Sequence, residues 1–158
     1  MLLIAAGFIS LQAQKVTTIE MDGTKYDVCN MTSADKITWG GYSQIGASAK
    51  DNDNVAKNTI AIVSAVGDNK DYDGKMYAAK ACTNLEINDH NDWYLPSLTE
   101  MQGIYGNNKL IELPTSNTYW TSTEASGTQA QTIYIYSGVT YQTAKVNLAH
   151  YVCIRKVN

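Results

Sequence analysis

Few residues in this 158-residue chain could do catalytic chemistry. The two histidines, His90 and His150, are its imidazole bases, and the sequence contains neither G-x-S-x-G nor H-E-x-x-H. Cys153 lies in YVCIR, an alternating pattern that predicts a buried strand thiol or a disulfide rather than a nucleophile. Catalysis would require His90 or His150 beside a cysteine or a carboxylate in a cleft. We therefore predict that the protein is not an enzyme.

The acidic loop at 67–74 is the candidate metal site. Four of its residues match positions one, three, five and six of an EF-hand loop: Asn69, Asp71, Asp73 and Gly74. Position twelve would be Lys80, where that loop requires a bidentate glutamate, so an EF-hand is excluded. A looser calcium site here or at 88–92 remains an alternative to a solvated turn. The prediction is that the protein holds no metal and no cofactor.

The N-terminal segment MLLIAAGFISLQAQ bears on where the protein acts. Its apolar stretch at 2–11 is too short to span a bilayer and is typical of a signal peptide, although a basic region before it is missing. We predict that residues 1–14 are a signal-peptide-like segment and that 15–158 form one domain of a secreted or cell-surface protein. If it is retained, the segment would instead be a packing or assembly element.

The cysteines and the charge limit the class of protein. Cys29, Cys82 and Cys153 follow neither C-x-x-C nor a zinc spacing. An exported protein would pair two of them, whereas a cytosolic protein would keep three buried thiols. A net charge of -3 with 12 Lys and Arg argues against nucleic-acid binding. One Phe stands against 11 Tyr, which suits either tyrosine-mediated surface contacts or plain β-rich packing.

Local patterns predict an α+β fold with an antiparallel sheet. The turn signal Asp22-Gly23 predicts an opening hairpin. Residues 58–66 are compatible with a buried strand or a helix, and 75–87 predict a helix. The expected strands lie at 16–20, 24–28, 36–39, 118–122, 132–136, 139–145 and 150–157.

Another helix is predicted directly after the segment WYLPS at 93–97. Pro96 must end the extended residues before it. Ser97 and Glu100 form an S-x-x-E capping box. Gly106-Asn107 predicts a left-handed stop. Four residues at helical spacing form the expected apolar face: Leu98, Met101, Ile104 and Tyr105.

The stretch TIYIYSGVTYQTAK carries the binding-site prediction. A two-residue turn at Ser137-Gly138 would place Tyr136 opposite Val139 and Tyr134 opposite Tyr141. Three tyrosines would then share one face of the hairpin: Tyr134, Tyr136 and Tyr141. Tyrosine gives large contact area with few rotors to immobilise, so this face is predicted to bind a ligand. The alternative is that the tyrosines pack beneath a loop.

Ile133 and Ile135 would occupy the other face of that hairpin, toward the core. Asn147 and His150 follow shortly after it in the chain. They are predicted to lie at the edge of the tyrosine face. The complete set of predicted ligand-binding residues is Tyr134, Tyr136, Tyr141, Asn147 and His150.

A series of sequence blocks resembles a known family. In order they are AAKAC at 78–82, DWYLPS at 92–97 with EM at 100–101, YWTSTE at 119–124, SG at 137–138, Lys145 and YVCIR at 151–155. Over about 55–157 the chain resembles the domain at the C-terminus of the Legionella collagen-like adhesin, a family long described only as a domain of unknown function. Its members are mostly surface or secreted modules implied in adhesion.

That family is similar to the C-type lectin fold, which implies two short helices packed on a small antiparallel sheet. The resemblance also implies a disulfide between Cys82 and Cys153, which leaves Cys29 free. Closing a loop of about 70 residues would stabilise the fold by about 4 kcal/mol in the chain-entropy model. Calcium-dependent lectins carry their ligand motifs in a long loop before the last strand. Here only VNLAH separates Lys145 from Tyr151, which argues against calcium-mediated sugar binding.

The expected function is therefore a non-catalytic extracellular binding or adhesion domain that recognises a glycan or protein ligand. The alternative is a structural subunit of a surface fibre or virion, assembled through residues 1–14. A third hypothesis is a formylglycine-type enzyme, but the sequence lacks the cysteine arrangement that formylglycine-generating enzymes need. We expect neither a nucleic-acid partner nor a membrane span, and oligomerisation is left open.

Overall fold

The computed structural model describes residues 14–31, 36–41, 44–46, 49–51, 56–67 and 74–158. The signal-peptide-like segment, apart from Gln14, lies outside the described residues. Asn69, Asp71 and Asp73 of the acidic loop lie outside them as well. The predictions about both segments stay predictions.

Two small antiparallel sheets and short helices confirm the α+β class. The strands are β1 (Lys15–Met21), β2 (Thr24–Asn30), β3 (Thr118–Glu124), β4 (Gln129–Tyr134), β5 (Val139–Ala144) and β6 (Val152–Lys156). The helices are α1 (Lys57–Val66), α2 (Ala78–Thr83), α3 (Leu98–Gly106) and α4 (Asn108–Ile111). The strand orders are β1-β2-β6 and β3-β4-β5, so two sheets replace the single one that the sequence predicts. None of the helices in the described ranges is long and apolar enough to cross a membrane.

The opening hairpin forms as predicted. Asp22 and Gly23 both have left-handed backbone, with φ of 48° and 73°. Left-handed geometry at both central residues is what a two-residue type I′ turn needs. β2 then pairs with β6, which places Cys29 directly opposite Cys153.

Three other segments differ from or refine the sequence predictions. Residues 58–66, left open between strand and helix, form most of helix α1. The predicted strand at 36–39 makes only two isolated bridges, from Ile37 to Ala149 and from Thr38 to Tyr77. The helix predicted over 75–87 is limited to the six residues of α2.

Helix α3 begins at its predicted capping box. The Ser97 hydroxyl accepts from the Glu100 N–H, and the Glu100 carboxylate accepts from the Ser97 N–H. The predicted left-handed stop is wrong, because Asn107 has φ -98° and leads directly into α4. The left-handed residue that ends this helical region is Glu112, with φ 63°.

The corner WYLPS joins two core clusters. Trp93 and Leu95 pack in one cluster with Cys82 and Cys153, whereas Tyr94 packs in the other with residues of β2 and β6. Tyr94 exchanges two backbone hydrogen bonds of 2.9 Å with Ile154 of β6. The corner therefore extends the first sheet and fixes where α3 begins.

Candidate functional site

The disulfide implied by the family resemblance is present. Cys82 of α2 bonds to Cys153 of β6, with 5.3 Å between their Cα atoms. Cys29 is a buried free thiol, and burial raises its pKa to about 11. At neutral pH Cys29 is therefore protonated and a poor nucleophile.

The predicted register of the tyrosine hairpin is wrong. Tyr134 pairs with Val139, and Thr132 pairs with Tyr141. Residues 135–138 therefore form a four-residue loop, closed by a 2.8 Å hydrogen bond from the Gly138 N–H to the Tyr134 carbonyl. Gly138 has φ 71°, and Ser137 is not left-handed, so the pair cannot form a type I′ turn by itself.

The change of register leaves two of the tyrosines on the predicted common face. Tyr134 and Tyr141 still lie on one face, because partners in antiparallel strands share a face and positions alternate along each strand. Ile133 and Ile135 are almost fully buried. Tyr136 belongs to the loop, where it is 73% exposed and its ring centroid lies 6.1 Å from that of Tyr134.

Tyr105 of helix α3 lies against the hairpin loop. Its ring carbons lie so close to Gly138 that a Cβ added there would approach them to 2.6 Å. Val139 is also substantially exposed. We define the tyrosine surface as Tyr134, Tyr136, Val139 and Tyr141. The sequence places Tyr105 on the apolar face of α3, and only the approach of α3 to the hairpin loop reveals its position.

His150 does not belong to the tyrosine surface. It bridges Tyr119 of β3, which pairs with Ile133 of β4, so its side chain lies on the isoleucine face of the sheet. His150 and β5 flank β3 and β4 on opposite sides, about 14 Å apart at the usual strand spacing. Burial lowers the pKa of His150, and the nearby Lys36 lowers it further.

Asn147 is exposed in the turn after β5, where its N–H donates to the Ala144 carbonyl.

Lys145 and Glu124 form a buried ion pair beside Trp39. The Lys145 Nζ lies 2.5 Å from Glu124 Oε1 and 4.5 Å from the centroid of the Trp39 ring. Burial lowers the pKa of Lys145, and the hydrogen bond to Glu124 opposes that effect. The carboxylate also accepts from the backbone N–H groups of Ile45 and Gly46, at 2.7 and 2.8 Å. These bonds hold the backbone at Ile45 and Gly46 against the end of β3.

Arg155 organises a second charged cluster. Its Nε and Nη1 donate to Asp92 and Asp27, at 2.7 and 2.8 Å. The hydrogen bond from Arg155 lowers the pKa of Asp92. His90 is exposed and lines the same shallow groove as Asp92 and Arg155. His90 therefore lies beside a carboxylate, as the catalytic alternative requires, but that carboxylate is already engaged by Arg155.

Nowhere in the described ranges do three or more His, Cys, Asp or Glu side chains form a group that could bind a metal ion. At 88–92, Asn88 and Asp89 form a tight left-handed turn, and Asp92 pairs with Arg155. One carboxylate of this second candidate calcium segment, that of Asp92, is therefore already engaged by Arg155.

A cavity of about 320 Å³ lies between the first hairpin and helix α3, and Glu100 and Tyr26 contribute to its lining. Glu100 is 7% exposed and accepts from the Tyr94 hydroxyl and the Ser97 N–H, each at 2.8 Å. Burial is the main cause that raises the pKa of Glu100, and these hydrogen bonds oppose it.

The raised pKa of Glu100 predicts a pH-dependent stability. As the pH rises above 4.5, the ordinary value, the unfolded chain releases this proton before the folded chain does, so the folded state loses stability. We expect the free energy of unfolding of wild type, relative to Glu100→Gln, to fall as the pH rises from 4 to 7, as measured by urea titration. The amide can still accept from Ser97 and donate to Tyr94. A difference independent of pH would contradict the raised pKa.

The chain matches no protein-family model and no curated protein sequence. Its relation to the adhesin-terminal family therefore stays a prediction that rests on the sequence blocks.

Proposed function

We propose that this chain is an exported, non-catalytic binding domain of C-type-lectin-like fold that recognises a glycan or protein ligand. Support for the fold comes from the disulfide that joins helix α2 to the last strand. Further support comes from the corner WYLPS, which pairs with that strand and starts a capped helix. The same disulfide supports export, because disulfides persist mainly in oxidising compartments.

The exposed tyrosine surface is the observation that carries the functional proposal. Tyr141 is 50% exposed on a sheet whose other face buries Ile133, and Tyr136 is 73% exposed in the adjoining loop, which buries Ile135. A rigid sheet with a buried layer behind it presents these rings at a low cost in conformational entropy. Their hydroxyl groups can bond sugars or peptide groups, while the rings supply apolar contact area.

Other features support a role without catalysis. The Asp92 carboxylate beside His90 is ion-paired with Arg155, and His150 is on the isoleucine face of the sheet beside Tyr119. Cys29 is buried and protonated at neutral pH. The turn that contains Asn147 is short, which leaves little room for a calcium-binding loop before β6.

The test is a double variant, Tyr134→Ala with Tyr141→Ala. Binding of the labelled protein to a printed glycan array and to intact cells should weaken at least about 100-fold, because each contact tyrosine at the centre of an interface contributes about 2 kcal/mol. Ile60→Ala is the matched control, since it removes a comparably exposed apolar side chain from α1. Unchanged binding by a double variant with wild-type thermal stability would exclude the tyrosine surface as the ligand site.

A further inference from the structure

Strand β5 forms one side of the second sheet, and its outer edge has no partner strand among the described residues. The Lys145 N–H donates to the Thr128 carbonyl, so Lys145 and Thr128 form a hydrogen-bonded pair. In an antiparallel hairpin every second pair of residues is hydrogen-bonded in this way. It follows that Val139, Tyr141 and Thr143 direct their backbone groups to β4. The N–H and C=O groups of Thr140 and Gln142 then point outward from the sheet, where the Gln142 carbonyl also accepts a long hydrogen bond, at 3.5 Å, from the side-chain amide of Gln129.

This outer edge lacks the features that normally prevent strands from pairing between molecules. Such edges usually carry charges, proline or a bulge. The six residues of β5, VTYQTA, include neither charge nor proline, and their register with β4 is uninterrupted. By contrast, β1 is the outer strand of the first sheet and carries Lys15 and Glu20. Within one molecule, β5 is therefore the less protected of these two outer strands.

We propose that β5 pairs antiparallel with β5 of a second copy of this chain, giving a continuous six-stranded sheet. A two-fold axis beside Tyr141 would place Tyr141 of one copy against Tyr141 of the other. The outward groups of Thr140 would then bond to those of Gln142 in the second copy. A copy suits this edge because a neutral strand paired with itself places no like charges opposite each other.

Self-pairing also has a consequence for the tyrosine surface. Tyr134 and Tyr141 share a face with their counterparts across the axis, so the two surfaces merge into one. The exposed area of Tyr141 and Val139 at the junction would be partly covered. The dimer is independent of any ligand, so it can be tested separately from the proposed binding function.

The first test is the molar mass in solution by sedimentation equilibrium across a broad concentration range, without ligand. Wild type should approach twice the mass of one chain, and Gln142→Pro should remain a single chain. Proline at 142 removes an outward N–H, and edge strands tolerate proline where that N–H faces away from the sheet. Gln142→Thr keeps that N–H and should still dimerise. A wild type that stays monomeric, or equal dimerisation by the proline and threonine variants, overturns the proposal.

Hydrogen exchange in wild type tests the same edge without relying on a variant that must fold. The N–H groups of Thr140 and Gln142 should exchange slowly at high protein concentration and faster on dilution. The Tyr141 N–H, which bonds to β4, should stay protected throughout and serves as the internal reference. If dimers form but the exchange rates of the Thr140 and Gln142 N–H groups do not change with protein concentration, the dimer uses another surface and the proposal is wrong.

Discussion

Replacement of Lys145 by methionine is expected to lower the free energy of unfolding by about 3–5 kcal/mol, because it leaves a buried carboxylate without its cation. Both side chains of the pair are fully buried. Glu124 would keep its two backbone donors, Ile45 and Gly46, but these carry no net charge. Urea unfolding followed by far-UV circular dichroism measures the change.

The chain contains a matched control for this prediction. Lys15 and Glu112 form an ion pair of the same 2.5 Å separation, with side chains 55% and 69% exposed. Exposed pairs contribute little, because water and salt screen them, so Lys15→Met should change stability far less. Equal effects of the two substitutions would mean that water replaces the Lys145 ammonium and that burial does not strengthen the pair.

Removal of the disulfide by Cys82→Ala with Cys153→Ala is expected to destabilise the fold by about 4 kcal/mol. The cross-link spans 71 residues, so the unfolded chain gains much conformational freedom when it is absent. The melting temperature should fall by about 8–16 °C for a chain of this size. Differential scanning calorimetry measures it, and wild type with a reductant should match the double variant.

Cys29→Ala is the control for the disulfide. It removes a buried thiol of the same cluster and leaves the cross-link intact. We expect a smaller loss than in the double variant, with retention of the reductant-sensitive transition. If Cys29→Ala alone lowered the melting temperature as much, packing of this cluster rather than the cross-link would account for the stability.

Short-range features of this protein could be predicted from its sequence. The turn at Asp22-Gly23 and the capping box of Ser97 with Glu100 both form as expected. Each depends on residues within four positions of one another, so the local chain contains all the interacting groups. The burial of Ile133 and Ile135 also followed from alternation along a strand.

Helix α1 shows where local information ends. Its apolar run is compatible with a strand or a helix. The helical conformation is stabilised by contacts with residues far along the chain. The Thr59 hydroxyl donates to the Leu95 carbonyl and accepts from the Leu95 N–H, at 3.0 and 3.1 Å. These bonds satisfy the backbone of the WYLPS corner and seat the helix against it.

The candidate site itself was decided in part by tertiary structure. Alternation in the sequence determined that Tyr134 and Tyr141 share a face, and this holds even though the predicted register was wrong by two residues. The approach of Tyr105 to Gly138 and the placement of His150 on the opposite face each depend on how separate elements pack. A sequence specifies such contacts only through the free energy of the whole fold, because no neighbouring residues encode them.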